Sequence, residues 1–104
     1  MNKTFRYWDD SIDSTYQTGK HAETAIFIEV IAELESARKR YPSWPDDIVH
    51  ATVVMCEEAG ESLRAANEIR WQHKGTTPDE LRKEVIQTMA MCLRLLTETP
   101  GLQP

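Results

Sequence analysis

Two groups of acidic side chains in this chain have a spacing that suits a metal ion. The first group is the run Glu57-Glu58-Ala59-Gly60-Glu61, and the second is the run Glu84-Val85-Ile86-Gln87. Residues three and four positions apart share one face of a helix, so each segment can direct its oxygens to one side. Carboxylates held close together repel one another unless protons or a cation neutralise them. Mg²⁺ prefers carboxylate ligands and commonly coordinates the phosphates of a substrate at the same time. The pattern therefore predicts a divalent metal site between two helices.

These acids also have a plainer interpretation as a solvent-exposed helix face, on which glutamate is common. Two observations favour the metal site. No lysine or arginine follows Glu57 or Glu58 at i+3 or i+4, whereas Arg64 can pair with Glu61. Glu58 also falls only about 60° from the centre of the apolar stripe predicted for its helix, and Glu84 is the acid nearest the stripe of the next. We expect Glu58 and Glu84 to be the innermost ligands.

Three helical segments are predicted to position the acids. The first spans about 20–41 and ends before Pro42. The second begins with Ser43 as its N-cap, and Asp46 completes a weak capping box. It ends with His73 and Lys74 in its last turn, followed by Gly75 as a left-handed cap. The third opens on Thr77-Pro78-Asp79-Glu80, a capping box with proline at the first helical position, and runs to Pro100. The predicted apolar stripes are Phe27, Val30, Ile31, Leu34, Ala37 and Tyr41 in the first segment; Ile48, Thr52, Met55, Ala59, Leu63, Ala66 and Ile69 in the second; and Leu81, Val85, Met89, Cys92 and Leu96 in the third.

The predicted fold class is all-α, because no stretch alternates with a period of two. The short connection at 73–76 favours antiparallel packing of the second and third segments, which would bring both acidic flanks to one cleft. We predict a polar N-terminal arm at 1–20, a helical domain at 21–99 and a tail at 100–104. A chain of 104 residues buries limited apolar surface by itself, so a core shared with a second subunit is expected.

Composition argues against several classes of protein. The net charge is −5 and no basic stripe occurs, which disfavours nucleic-acid binding. The run Arg38-Lys39-Arg40 is interpreted as complementing a helix dipole. Cys56 and Cys92 are isolated, so neither a structural zinc site nor a disulfide framework is expected. No apolar run approaches the roughly twenty residues that span a bilayer, and residues 1–10 have no signal-peptide core, so we expect a soluble, cytoplasmic protein.

The two acidic motifs resemble a known family. Glu-Glu-x-x-Glu on one helix and Glu-x-x-Asp on the next is the signature of the MazG-like, all-α nucleoside triphosphate pyrophosphohydrolases. The flanking runs His50-Ala51-Thr52-Val53-Val54-Met55-Cys56 and Thr88-Met89-Ala90-Met91-Cys92-Leu93-Arg94 are similar to those of phage-type and small bacterial members. The resemblance covers roughly residues 22 to 98. Gln87 departs from the motif aspartate: its amide oxygen can coordinate a metal, but it carries no charge and cannot serve as a base.

The resemblance implies a homo-oligomer of the four-helix-bundle type, a dimer or a dimer of dimers, with Mg²⁺ (or Mn²⁺) bound by the motif acids. It also implies hydrolysis of a (deoxy)nucleoside triphosphate to the monophosphate and pyrophosphate. On this basis we expect Glu58, Glu61, Glu84 and Gln87 to bind the metal, and Glu57 and Glu61 to act in catalysis. The candidates for substrate binding are Lys74, Lys83 and Arg94 for the phosphates, and Trp44 and Trp71 for the base.

Each substrate-binding candidate has a plainer interpretation, as a solvated helix charge or as an aromatic cap on the core. The main alternative function is a non-catalytic helical oligomer that keeps the fold as a nucleotide-binding or protein-interaction module, with turnover lost through Gln87. A di-iron carboxylate bundle would need Glu-x-x-His on two helices, and the closest match is the single run Asp47-Ile48-Val49-His50.

Overall fold

The computed structural model describes residues 13–104, with side chains from residue 21 onward. These residues form helices α1 (Asp13–Arg40), α2 (Ile48–Arg70) and α3 (Pro78–Glu98), and no strand occurs among them. The described part of the chain is therefore all-α, as predicted. Residues 1–12 of the predicted arm lie outside the described residues. Helix α1 begins well before the predicted start near residue 20, because extending an existing helix needs no new nucleus and no apolar stripe.

The start of α2 differs from the prediction, whereas the start of α3 agrees with it. The N-cap of α2 is Asp47, whose carboxylate accepts a hydrogen bond of 2.8 Å from the backbone N–H of His50. Ser43 cannot take this role, because Pro45 biases Trp44 away from the helical region. Helix α3 has the predicted capping box, in which the side chain of Thr77 and that of Glu80 each bond the other's backbone N–H.

The connection from α2 to α3 is a tight loop with an unusual backbone. Helix α2 ends at Arg70, so His73 and Lys74 lie beyond the helix and the prediction that they occupy its last turn was wrong. Gly75 has the predicted positive φ of 69°, but Gln72 and Lys74 also adopt the left-handed region, with φ of 51° and 65°. These left-handed residues end the helical hydrogen bonding earlier than the sequence indicated and reverse the chain direction within a few residues.

Helix α3 lies in the middle, and α1 and α2 each pack against it. Arg82 of α3 donates two hydrogen bonds, of 2.7 and 2.6 Å, to Glu29 near the beginning of the contact with α1. Arg38 donates to Glu98 at 2.5 Å near the other end, so α1 runs parallel to α3. Helix α2 is antiparallel to α3, and the hydroxyls of Ser62 and Thr88 lie 3.3 Å apart between these two helices.

Four of the seven buried apolar residues in the described chain are alanines, and larger, partly buried side chains pack around them. Alanine allows helices to approach closely, and Ala51 and Ala65 are the buried residues of α2. The line of α2 that faces α3 starts at Ala51 and continues at i+4, i+7, i+11 and i+14, about 60° round the helix from the predicted stripe. Val30, Leu34 and Ala37 of α1 are buried as predicted. The buried apolar residues are Val30, Leu34, Ala37, Ala51, Ala65, Ala90 and Met91. The line of α2 that faces α3 consists of the buried Ala51 and Ala65 and the half-buried Met55, Glu58 and Ser62.

Most of the remaining predicted stripe residues lie on an exposed surface that we call the apolar face. On α3, Val85, Met89, Cys92 and Leu96 lie about 180° from Gln87, and on α2 the stripe lies a similar angle from Glu61. The prediction that the exposed stripe residues form the core was wrong for a single described chain, whereas Met55 and Met89 pack, partly buried, against the core. The apolar face comprises Phe27, Ile31, Ile48, Leu63, Val85 and Leu96, each between 41% and 64% exposed.

Candidate functional site

Glu58 is the motif acid of α2 whose pKa is raised by burial, because it sits on the line of α2 that faces α3. Burial raises the pKa of the Glu58 carboxyl, and repulsion from Glu84, Glu33 and Glu57 raises it further, against an opposing attraction from Arg40. The predicted inner position of Glu58 agrees with this arrangement, although Glu58 lies within the seam instead of flanking it. Neighbouring carboxylates on three helices therefore make Glu58 a site of unfavourable negative charge.

A pocket open to solvent surrounds Glu58 where the three helices meet. Its floor is apolar, with Val54 of α2 and Met91 of α3. Gln87 reaches the same pocket from α3, so one residue of each motif lies here, whereas Glu84 does not line the pocket. We call this space the Glu58 pocket, and its lining residues are Glu33, Ala37, Arg40, Tyr41, Val54, Glu58, Gln87 and Met91.

The other motif acids line adjacent depressions. Glu61 and Glu84 share a depression with Glu68 and Lys74 on the loop side of the hairpin. Glu57 is exposed and borders a further depression with Glu58 and Glu61. Glu61 also accepts a hydrogen bond from Arg64, the i+3 partner expected from the sequence. The motif side chains thus lie along one side of α2 and α3, spread over neighbouring pockets.

The donor set matches the chemistry of a hard divalent cation. Carboxylate and amide oxygens are the ligands that Mg²⁺ prefers, and a cation beside Glu58 would relieve its repulsion from Glu84. Among the residues that the structure describes, no three His, Cys, Asp or Glu side chains are placed to hold a metal ion together. The set Glu58, Glu61, Glu84 and Gln87 is not assembled round one point here, so its role as a Mg²⁺ ligand set stays a prediction.

Two of the candidates for substrate binding belong to a buried cluster at the end of α3. Arg94 is 2% exposed, donates to Glu98 at 3.1 Å and to the Tyr41 carbonyl at 2.6 Å, and stacks its guanidinium 5.0 Å from the Trp44 ring. The indole N–H of Trp44 donates to the Thr99 hydroxyl at 2.9 Å. Because these polar groups already have internal partners, we leave Arg94 and Trp44 out of the proposed substrate site.

The other candidates remain accessible. Lys74 is exposed at the rim of the depression with Glu61 and Glu84, with its ammonium 3.9 Å from Glu68. Lys83 is exposed on α3, one turn before Gln87. Trp71 is 70% exposed and lies on the outer side of α2, beneath the guanidinium of Arg70 at 5.2 Å, so it does not border the Glu58 pocket. Lys74 and Lys83 are thus the predicted cations best placed to meet phosphates.

Sequence reasoning missed two residues of α1 that line the Glu58 pocket. Glu33 was not singled out, and Arg40 was interpreted as part of a run that complements the helix dipole. An Nη of Arg40 donates to Glu33 at 2.7 Å, and both side chains border Glu58 and Gln87. An acid and a base seven residues apart lie on the same side of a helix, here beside the stripe through Val30 and Ala37, and that spacing is the signal that could have found them.

Comparisons of the chain with protein-family models, with curated proteins and with solved structures give no match. The resemblance to the MazG-like family therefore stays a prediction. Within the described residues, no helix combines the length and apolar character needed to cross a bilayer.

Proposed function

We propose that this protein is a Mg²⁺-dependent nucleoside triphosphate pyrophosphohydrolase. The observation that carries the proposal is Glu58, a half-buried carboxyl in the seam between α2 and α3, whose strongest repulsion comes from Glu84. Retaining such a carboxyl among other acids destabilises the metal-free chain, so its presence favours a role in holding a cation. The resemblance of both motifs to the family signature supports the same reaction.

In this proposal Glu58, Glu61, Glu84 and Gln87 hold the ion. When bound, Mg²⁺ supplies positive charge to the triphosphate oxygens and offsets the charge that develops during transfer to water. Glu57, exposed and adjacent to Glu58, orients the attacking water and accepts its proton. Gln87 orients a ligand through its amide oxygen without adding charge, and Lys74 and Lys83 contact phosphate oxygens from the pocket rims.

The proposed activity has a direct test with a panel of canonical and modified (deoxy)nucleoside triphosphates. We expect Mg²⁺-dependent release of the monophosphate and pyrophosphate in equal amounts, measured by ion chromatography, with no diphosphate or free phosphate. Chelation of the metal should abolish release. If no triphosphate in the panel is hydrolysed while several bind saturably, the non-catalytic nucleotide-binding module replaces the proposed enzyme.

The apolar face supports a homo-oligomer, in which it packs against a second copy of the chain. Six large apolar side chains on one side of three helices form an exposed surface of a kind that usually marks an interaction site. Only seven apolar residues of the described chain are buried, so a second copy would supply apolar burial that one chain lacks. Two such faces packed together would build the expected four-helix-bundle type of assembly, as a dimer or a pair of dimers.

Leu63→Glu should dissociate this oligomer, because it places a charge in the middle of an apolar contact. We expect the dissociation constant to rise by at least about 100-fold, measured by analytical ultracentrifugation over a range of protein concentrations. Val53→Glu is the matched control, since Val53 is also exposed on α2 but lies on its outer side. A wild-type protein that stays monomeric at about 100 μM, or equal effects of both variants, would refute this interface.

A further inference from the structure

Arg40 is a cation inside the Glu58 pocket, and the proposed reaction needs one there. Its side chain is 49% exposed, so a ligand in the pocket can reach the guanidinium. The same pocket holds Glu58 and Gln87, which belong to the two motifs proposed to bind Mg²⁺. Arg40 is also the nearby cation whose attraction opposes the rise in the pKa of Glu58. The pocket therefore combines proposed metal ligands with a fixed positive charge.

The guanidinium of Arg40 is held in a defined orientation. One Nη donates to Glu33 at 2.7 Å, and Nε donates to the Ser36 carbonyl at 3.4 Å. The guanidinium carbon also lies 5.8 Å from the centre of the Tyr41 ring. Among the described residues these contacts use one edge of the planar fork, which leaves the other terminal nitrogen available to a ligand. Bidentate and charge-assisted contacts to phosphate are the usual role of an arginine so arranged.

A nucleoside triphosphate carries more negative charge than one Mg²⁺ neutralises, and this pocket already contains two carboxylates. Some positive charge must therefore come from side chains close to the metal ligands. Arg94 is buried and fully engaged with Glu98 and backbone carbonyls. Lys74 and Lys83 border other depressions, so among the described residues Arg40 is the cation that lines the same pocket as Glu58 and Gln87.

We propose that Arg40 binds the phosphate chain of the nucleoside triphosphate, with Glu33 as the positioning residue that fixes its guanidinium. The inference rests on the proposed function, because it takes a triphosphate as the ligand. Arg40 contacts oxygens that Mg²⁺ leaves uncoordinated and fixes the phosphate chain against the wall formed by α1. Helix α1 thereby becomes part of the substrate site, although both sequence motifs lie on α2 and α3.

The test measures binding of deoxynucleoside triphosphates with a non-hydrolysable α,β-imido bridge, in the presence of Mg²⁺, by isothermal titration calorimetry. Arg40→Gln should raise the Kd by about 10-fold or more, as expected for loss of a charged hydrogen bond. Arg40→Lys should recover part of this loss, since it keeps the charge without the planar fork. Lys39→Gln is the matched control, because Lys39 is exposed on the same turn and lies about 100° farther round the helix.

A second readout separates substrate binding from a purely structural role. In the absence of nucleotide, Arg40→Gln should bind Mg²⁺ as tightly as the wild type or more tightly, because a cation beside the acids has been removed. Weaker nucleotide binding with unweakened Mg²⁺ binding supports the proposal. Equal nucleotide Kd values for Arg40→Gln and Lys39→Gln overturn the proposal. An Arg40→Gln protein that binds both the nucleotide and Mg²⁺ more weakly than the wild type overturns it as well.

The outcome also distinguishes this inference from the proposed function. If the wild type binds the analogues in an Arg40-dependent way but releases no pyrophosphate from natural triphosphates, the enzyme assignment fails and the binding role of Arg40 stands. If the wild type hydrolyses triphosphates and Arg40→Gln changes neither Kd nor KM, the enzyme assignment stands and the role of Arg40 fails. A wild type that neither binds the analogues nor hydrolyses natural triphosphates overturns both.

Discussion

Glu58→Gln should reduce pyrophosphate release by at least about 100-fold while making the metal-free protein more stable at neutral pH. The loss of activity follows from removal of the central charged ligand, since about 3 kcal/mol of transition-state stabilisation corresponds to that factor. The gain in stability follows from the raised pKa of Glu58, which burial and then repulsion from Glu84 cause. Initial rates and melting temperatures of the two proteins, each measured in chelator and in millimolar Mg²⁺, check both parts.

The pH dependence of this stability difference has a definite sign. A carboxyl whose pKa is raised on folding destabilises the native state when it is ionised, and protonation relieves the penalty as the pH falls. The wild type should therefore approach the stability of Glu58→Gln on acidification and fall behind it again near neutral pH. Mg²⁺ should raise the melting temperature of the wild type more than that of the variant, because it binds the folded state.

Glu35→Gln is the matched control for charge, because Glu35 is an exposed acid on α1. It should leave activity and the Mg²⁺ response unchanged. Full pyrophosphate release by Glu58→Gln would remove Glu58 from the site. A melting temperature of the wild type that does not respond to Mg²⁺ or Mn²⁺ would argue instead for the interpretation of these acids as an ordinary helix surface.

Local signals in the sequence predicted the start of α3 correctly, because neighbouring residues alone determine it. Thr77, Pro78 and Glu80 form the predicted capping box because every atom involved lies within four residues. The start of α2 was misplaced for a local reason as well, since the effect of Pro45 on Trp44 outweighs the capping tendency of Ser43. Capping chemistry was thus readable from the sequence, provided that each proline was considered first.

The orientation of α2 could not be read from hydrophobicity, because two different surfaces contribute to the apolar pattern. Ile48 and Leu63 gave the predicted stripe its direction, yet both are exposed on the apolar face. Ala51 and Ala65 define the contact with α3, and alanine adds little to a hydrophobic pattern although it permits close packing. The same rotation places Glu58 within the seam instead of beside it.

The contribution of α1 to the candidate site was also beyond the reach of local patterns. Glu33 and Arg40 border Glu58 because α1 and α2 pack against the same helix, and that arrangement depends on contacts between residues far apart in the sequence. Arg94 shows the opposite error: its position beside a motif suggested a phosphate contact, but the chain between α1 and α2 covers it. The surroundings of both arginines therefore depend on segments distant in the sequence, which bury Arg94 and leave Arg40 half exposed beside Glu58.

Arg94→Leu should lower the free energy of unfolding by about 3 kcal/mol, because it removes the centre of the buried cluster that ties the α1–α2 connection to α3. Its guanidinium bonds the Tyr41 carbonyl at 2.6 Å and Glu98 at 3.1 Å. For a chain of this size the loss corresponds to a melting temperature lower by roughly 12 to 24 °C. Chemical denaturation and thermal melting measure the change.

Acidification should reduce this difference between wild type and variant. Burial disfavours the charged form of Glu98, but hydrogen bonds from Arg38 and Arg94 outweigh it and lower the pKa of the carboxyl below its ordinary value. A carboxyl with a lowered pKa stabilises the fold above its unfolded pKa, and that stabilisation disappears as the pH falls through the folded pKa. Part of the stability lost in Arg94→Leu should therefore be absent from the wild type at strongly acidic pH.

Arg82→Leu is the control that makes the Arg94→Leu prediction specific to burial. Arg82 also links two helices, through two hydrogen bonds to Glu29, but both side chains are about half exposed. An exposed ion pair contributes at most about 1 kcal/mol, so this variant should melt within a few degrees of the wild type. Below its melting temperature the Arg94→Leu protein should keep the wild-type KM, because the guanidinium that it lacks bonds protein groups in the wild type. Equal stability losses in the two variants would contradict the buried cluster, and a raised KM in the folded Arg94→Leu protein would return Arg94 to the substrate site.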